Sequence, residues 1–201
     1  TFARGLRSIL RHDPDKIMVG EIRDGETAQI AVQAALTGHL VLTTVHANNV
    51  FDVLGRFTHM GVDPYSLVAA LNGIVAQRLV RVSCLECVAD DVPDAALLAV
   101  SGISDVSGFN FRAGRGCAHC RGTGFKGRKA VAEVLILDDE LREMIVTREP
   151  VRRIKEAAYR KGTRLLRDVG LDLVRHGETI LTPTRKFSGI GALDPELTEE
   201  G

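Results

Sequence analysis

Leu10-Arg11-His12-Asp13-Pro14-Asp15-Lys16-Ile17-Met18-Val19-Gly20-Glu21-Ile22-Arg23-Asp24 is the stretch that decides how this chain is read. Asp13-Pro14-Asp15 ends a helix, because the residue before a proline disfavours the helical region. Upstream, residues 5–12 place Leu6, Ile9 and Leu10 on one helical face. Downstream, Ile17-Met18-Val19-Gly20 is a short apolar run that reads as a buried central strand, and the carboxylate Glu21 follows it at once. Asp24 reads as the N-cap of a helix with Glu26 in its first turn; Gly38 stops that helix after Thr37. Leu40-Val41-Leu42-Thr43-Thr44-Val45 is the next strand and ends at His46. Strand, helix and strand with short joints form a βαβ unit, whose strands are parallel.

That topology sets Glu21 and His46 side by side at the carboxyl edge of a parallel sheet, where open sheets bind ligands. A glutamate there orients or deprotonates a water. A histidine there donates a hydrogen bond to a phosphate-like oxygen. Read alone, the pattern equally fits a surface turn in which Glu21 and Arg23 are solvated and His46 caps a strand.

Helices are expected at 50–60 and 64–72, while 74–82 is open between strand and helix. From Ser83 to about Lys129 the chain is glycine-rich, with Cys84-Leu85-Glu86-Cys87 near one end and Cys117-Ala118-His119-Cys120 towards the other. A strand at 130–137 and helices at 139–147, 151–160 and 163–176 follow. Residues 151–178 carry eight Lys or Arg against four Asp or Glu. That basic stretch fits a solvated face with Leu165, Leu166, Val169, Leu173 and Val174 packed inward, or a surface for acidic headgroups. The expected division is 1–82, 83–129, 130–181 and a flexible tail at 182–201.

Two Cys-x-x-Cys pairs separated by 29 residues point to a structural zinc ion held by Cys84, Cys87, Cys117 and Cys120, since four thiolates satisfy tetrahedral zinc. A redox pair or disulfides are the competing uses; His119 falls outside a set the four thiolates already fill. Over the 201 residues, 26 Lys plus Arg balance 26 Asp plus Glu, and 45% of residues are hydrophobic. This composition excludes a disordered chain and argues against nucleic acid as a partner, for which a basic excess is expected. No apolar run reaches the ~18 residues of a membrane span, and no signal peptide is visible at the start. With seven Phe, two Tyr and no Trp, the core must be aliphatic, which suits a helix-covered parallel sheet.

The opening stretch resembles the signature of the type II secretion and type IV pilus assembly ATPases: L-R-x-x-P-D-x, three aliphatics, then G-E-I-R-D. Thr37-Gly38-His39-Leu40-Val41-Leu42-Thr43-Thr44-Val45-His46-Ala47-Asn48 resembles that family's His box. Gln77-Arg78-Leu79-Val80-Arg81 resembles its lead into a tetracysteine segment, and residues 116–128 followed by Glu133-Val134-Leu135 resemble the segment itself. The resemblance spans residues 2–180. It implies an α/β fold: the C-terminal part of a RecA-like P-loop NTPase core, a small tetracysteine zinc module and a C-terminal helical subdomain. Ile17 to Glu21 would be an unusual Walker B, with Gly20 where many P-loop enzymes carry a metal-binding Asp. Glu21 would polarise the attacking water and His46 would face the γ-phosphate, so that Gly20, Glu21 and His46 line the site for ATP with Mg²⁺. Arg23 would aid phosphate binding or pair with an acid; His39 matches the family pattern too, but a His that opens a strand reads as structural. The family implies a homo-hexameric motor on the cytoplasmic side of the inner membrane, docked to platform and adaptor proteins. It favours secretion slightly over pilus extension.

No G-x-x-x-x-G-K-[ST] occurs in the sequence, so the cradle of N–H groups for the β- and γ-phosphates is missing. The phosphate loop and Asp box are expected upstream. The first residue is Thr1, and the sequence is expected to be a piece of a longer chain that does not hydrolyse ATP alone. The alternative is a truncated zinc-bearing partner module that only contacts such a motor.

Overall fold

The computed structural model describes residues 2–182. In chain order the elements are α1 (Phe2–Ile9), a 3-10 turn (Leu10–His12), β1 (Lys16–Val19), α2 (Gly25–Leu36), β2 (Leu40–Thr43), α3 (Val50–His59), α4 (Pro64–Ala70) and β3 (Gly73–Ser83). Then come β4 (Val88–Asp90), α5 (Ala95–Val100), β5 (Arg112–Gly114), β6 (Phe125–Ile136), α6 (Asp139–Val146), α7 (Val151–Arg160) and α8 (Leu166–Arg175). Of the described residues, those up to Ala76 with Val134–Thr163 form one compact unit, and Gln77–Glu133 with those from Arg164 form a second. No helix among the described residues is long and apolar enough to cross a membrane.

In the first unit β1 and β2 pair in parallel, Lys16 opposite Leu40 and Val19 opposite Thr43. The intervening α2 starts where Asp24 accepts the Thr27 N–H at 2.8 Å and its hydroxyl at 2.9 Å. It ends at Thr37, before Gly38 with φ +104°. α1 packs on α2, α2 on α4, α4 on α6 and α6 on α7. β1 is not buried on both sides as expected. Ile17 and Val19 point into the core, but Met18 is 65% exposed, and Leu40 and Leu42 are exposed as well. The physical reason is a two-stranded sheet: among the described residues no further strand or layer covers that face.

In the second unit β4 and β5 form an antiparallel ladder from Val88–Gly114 to Asp90–Arg112. Phe111, Leu171, Val174 and Leu181 form a buried cluster, with Leu97, Leu98, Ile103 and Phe109 against it. α8 has no side-chain cap of its own; the buried Glu133 carboxylate supplies one by accepting the Leu166 N–H at 3.3 Å. Lys129 and Glu178 pair at 2.6 Å, and the Thr179 hydroxyl donates to the Arg81 carbonyl at 2.8 Å.

β3 settles the open stretch 74–82 as a strand, paired with β6. β6 begins at Phe125, ahead of the expected 130, and the cysteine-bearing stretch contains α5, β4 and β5 as well as loops. The stretch 130–181 is shared: α6 and α7 belong with the N-terminal segment, while α8 buries Leu171 and Val174 in the cluster of the second unit. Of the expected flexible tail at 182–201, residues 183–201 lie outside the described residues.

Candidate functional site

Parallel pairing carries β1 and β2 to the same edge, so Glu21 and His46 leave it as neighbours. The pairing continues past the strands: the Ile22 N–H donates to the Thr44 carbonyl at 3.1 Å, and the Thr44 hydroxyl donates to the Gly20 carbonyl at 2.6 Å. His46 Nε2 lies 3.3 Å from Glu21 Oε2. Arg23 Nε donates to that same oxygen at 2.6 Å. The side chains are 26%, 69% and 77% exposed for Glu21, Arg23 and His46, so the constellation is open to a ligand.

The Arg23 hydrogen bond, helped by the charges of Arg23 and His46, outweighs desolvation and holds the Glu21 carboxyl below its ordinary range. An ionised carboxylate of low basicity orients a water by accepting its hydrogen bond, and it is a poor store for a proton. In this structure Arg23 thus pairs with an acid. It also lines a cavity of about 860 Å³ in the same unit whose wall includes Phe51, Arg56, Ile145 and Arg148. Nothing lies within 4 Å of where a Cβ at Gly20 would sit, so no contact among the described residues demands glycine there. His39 stays structural, its Nδ1 3.0 Å from the Ala34 carbonyl at the end of α2.

The four cysteines converge independently. All four Sγ atoms lie within 4.8 Å of one another. Cys84–Cys117, Cys87–Cys120 and Cys117–Cys120 are separated by 3.9, 3.9 and 3.7 Å. Tetrahedral zinc with ordinary Zn–S bonds requires sulfurs about 3.8 Å apart, whereas a disulfide requires about 2.05 Å. The thiols are free, and the donor set and spacing fit a closed tetrahedral cation. Backbone donors already face the sulfurs: Gly116 N to Cys87 at 3.3 Å, Cys117 N to Cys120 at 3.2 Å and Gly124 N to Cys120 at 3.3 Å. Burial pushes the Cys120 thiol up, but the Cys117 and Gly124 N–H groups pull it down to about 6. At Cys87 burial wins, with the neighbouring thiols adding to it, and the thiol is pushed up to about 12. A set that loses one proton easily and another with difficulty is one whose crowded negative charge a central cation relieves.

Thr44, and the choice of Glu21 as the acid that Arg23 pairs with, are features that sequence reasoning missed. Two adjacent threonines at the end of an apolar strand give no pairing signal, and the Arg23–Glu21 contact depends on side-chain rotamers.

The family model described as type II/IV secretion system protein matches residues 1–187. The chain is 49% identical over 183 residues to the type IV pilus assembly ATPase PilB of Thermus thermophilus, covering 90% of this chain and 21% of that protein. It is 42% identical over 190 residues to the type II secretion system protein E of Pseudomonas aeruginosa, covering 92% and 38%. It is 44% identical over 181 residues to the type II secretion system ATPase E of Vibrio cholerae, covering 90% and 36%. The chain thus spans well under half the length of these relatives. Among solved structures, the pilus retraction motor PilT with bound ADP aligns with a TM-score of 0.62 at 25% identity, over 92% of this chain and 45% of that one. The Legionella pneumophila ATPase DotB aligns with a TM-score of 0.59 at 24% identity, over 89% and 40%. The fold they share with this chain is RecA-like.

Proposed function

Because the chain belongs to the type II/IV secretion system protein family, we propose that it is the Walker B, His-box and tetracysteine portion of a motor ATPase that drives secretion or pilus assembly. One observation carries this reading: β1 and β2 deliver Glu21 and His46 to one sheet edge, 3.3 Å apart. Phosphoryl transfer asks an enzyme mainly for positioning and charge stabilisation. In this reading Glu21, ionised, accepts a hydrogen bond from the attacking water and aims it. His46 donates to an oxygen of the γ-phosphate. Arg23 sets the Glu21 carboxylate and places a positive charge where phosphate charge develops. Gly20 leaves open space beside the ATP and its Mg²⁺.

The phosphate loop, absent from these residues, belongs on the preceding part of the full-length protein, and the 201 residues alone do not turn ATP over. Cys84, Cys87, Cys117 and Cys120 hold Zn²⁺, which supplies structural closure of residues 83–129 and no chemistry. The assembly is a homo-hexamer on the cytoplasmic face of the inner membrane, docked to platform and adaptor proteins. The relatives include both secretion and pilus proteins at 42–49% identity, and the motor role proposed is the one the two share.

Glu21→Gln tests the reading in the full-length protein. It keeps shape and removes charge. The expected outcome is retained ATP binding with kcat lowered about 10²–10⁴-fold, measured by phosphate release. Unchanged kcat removes Glu21 from the mechanism. A full-length protein that binds no ATP favours the non-hydrolysing partner module instead.

A further inference from the structure

Gly20 is the most permissive backbone link in the β1 edge, and it directly precedes the glutamate on which the proposed chemistry turns. The chain does not leave it loose. The Thr44 hydroxyl donates to the Gly20 carbonyl at 2.6 Å, and the Thr44 carbonyl accepts the Ile22 N–H at 3.1 Å. These two bonds flank Glu21 on either side. The Thr43 hydroxyl adds a third, donating to the same Thr44 carbonyl at 3.2 Å. Thr44 itself stands two residues before His46. We propose that Thr44 is a positioning residue that brackets the Glu21 turn and yokes it to the His46-bearing end of β2, so that Glu21 and His46 move as one body.

The inference rests on the reading of Glu21 and His46 as water-orienting and phosphate-contacting groups. A backbone ladder alone would fix Ile22 and leave the Gly20 carbonyl to water. The hydroxyl is the group that closes the turn, and serine can supply it where valine cannot. Thr44 is exposed, so its bond competes with water and adds little to global stability. Its value lies in geometry, because a misplacement of about 1 Å at a reacting centre can cost about 10²-fold in rate. A shift of His46 against a bound phosphate would then carry Glu21 with it.

Thr44→Val and Thr44→Ser decide the matter through two readouts. In the full-length protein, Thr44→Val is expected to lower kcat by about tenfold or more with KM for ATP within twofold, and Thr44→Ser to restore most of it. In the 201-residue chain, amide hydrogen exchange at Ile22 is expected to quicken in Thr44→Val and to stay slow in Thr44→Ser, at an unchanged melting temperature. Wild-type kcat in Thr44→Val overturns the proposal, as does a serine variant no better than the valine one. If the full-length wild type does not hydrolyse ATP, the motor reading fails, and Ile22 exchange alone then judges the bracket. Exchange unaltered by Thr44→Val refutes it whatever the activity.

Discussion

The cysteine module and the β1–β2 edge are two sites of opposite construction in one chain. Four sulfurs within 4.8 Å of one another, each pair on its own tight turn, make a complete ligand set from residues 84–120. The edge presents one carboxylate, one guanidinium and one imidazole, the last two well exposed, on a sheet of two strands whose other face no further strand covers among the described residues. Closed coordination with no open position suits a structural ion. An open edge with charge but no phosphate cradle suits half of a catalytic site. The difference teaches that stability experiments reach the cysteine module directly, while the edge has to be probed through the geometry of its charged groups.

Metal removal strains the comparison hardest. A chelator, or Cys84→Ala at the fully buried ligand, is expected to abolish the cooperative unfolding of residues 77–133, since structural zinc supplies about 10–16 kcal/mol of apparent binding free energy in small zinc modules. Metal analysis should fall from one zinc per chain to none, and amide protection of Ile17 and Val19 in β1 should persist. An unchanged melting curve after chelation removes the ion from the account. Simultaneous loss of protection in β1 ends the independence of the two regions.

A pair of glycines sharpens it next. A Cβ on Gly124 would sit 2.3 Å from the Gly114 carbonyl oxygen, at φ +74°. The backbone strain of Gly124→Ala alone costs about 1–3 kcal/mol, and the clash adds to it. Gly20→Ala meets nothing within 4 Å and should change stability by no more than about 0.5 kcal/mol. Denaturant midpoints of the two variants check this directly. Equal midpoints would mean that the module tolerates displacement as easily as the open edge.

The same contrast explains what the sequence could and could not show. Cys-x-x-Cys spacing is local, so the convergence of all four cysteines was legible. The βαβ unit was legible because Asp24, Gly38 and the apolar runs are local signals of start, stop and period. β6 was read short because Lys126-Gly127-Arg128-Lys129 is charged with a glycine inside it, and only its distant partner β3 makes it a strand. α5 was missed although Asp94 before Ala95-Ala96-Leu97-Leu98 carries the N-cap signature; the Asp94 carboxylate does accept the Leu97 N–H at 2.7 Å. The assignment of α8 to the cysteine-bearing unit depends on contacts with Phe111 and Leu181, which no spacing rule reports. At the edge, the meeting of Glu21 and His46 followed from topology, while the place of Arg23 on Oε2 did not.

The smallest effect belongs to that last contact, and it separates a poised carboxylate from a merely solvated one. Glu21 is held below its ordinary range chiefly by the Arg23 hydrogen bond. A carboxyl depressed in the folded state contributes stability that is present above its unfolded pKa and is lost as pH falls through the folded one. Acidification should therefore release Arg23 only below the ordinary glutamate range, with little change in melting temperature because Arg23 is 69% exposed. The carbon-13 shift of the Glu21 carboxyl, followed from pH 7 downward, should turn at a lower pH than an isolated glutamate. Arg23→Gln should move that midpoint up, and His46→Gln should move it less, because the Arg23 bond is the larger cause. An ordinary midpoint in the wild type would mean that the Arg23–Glu21 pair is not populated in solution. Glu21 would then be a stronger base than the geometry implies, and proton acceptance rather than water orientation would be its part in the chemistry.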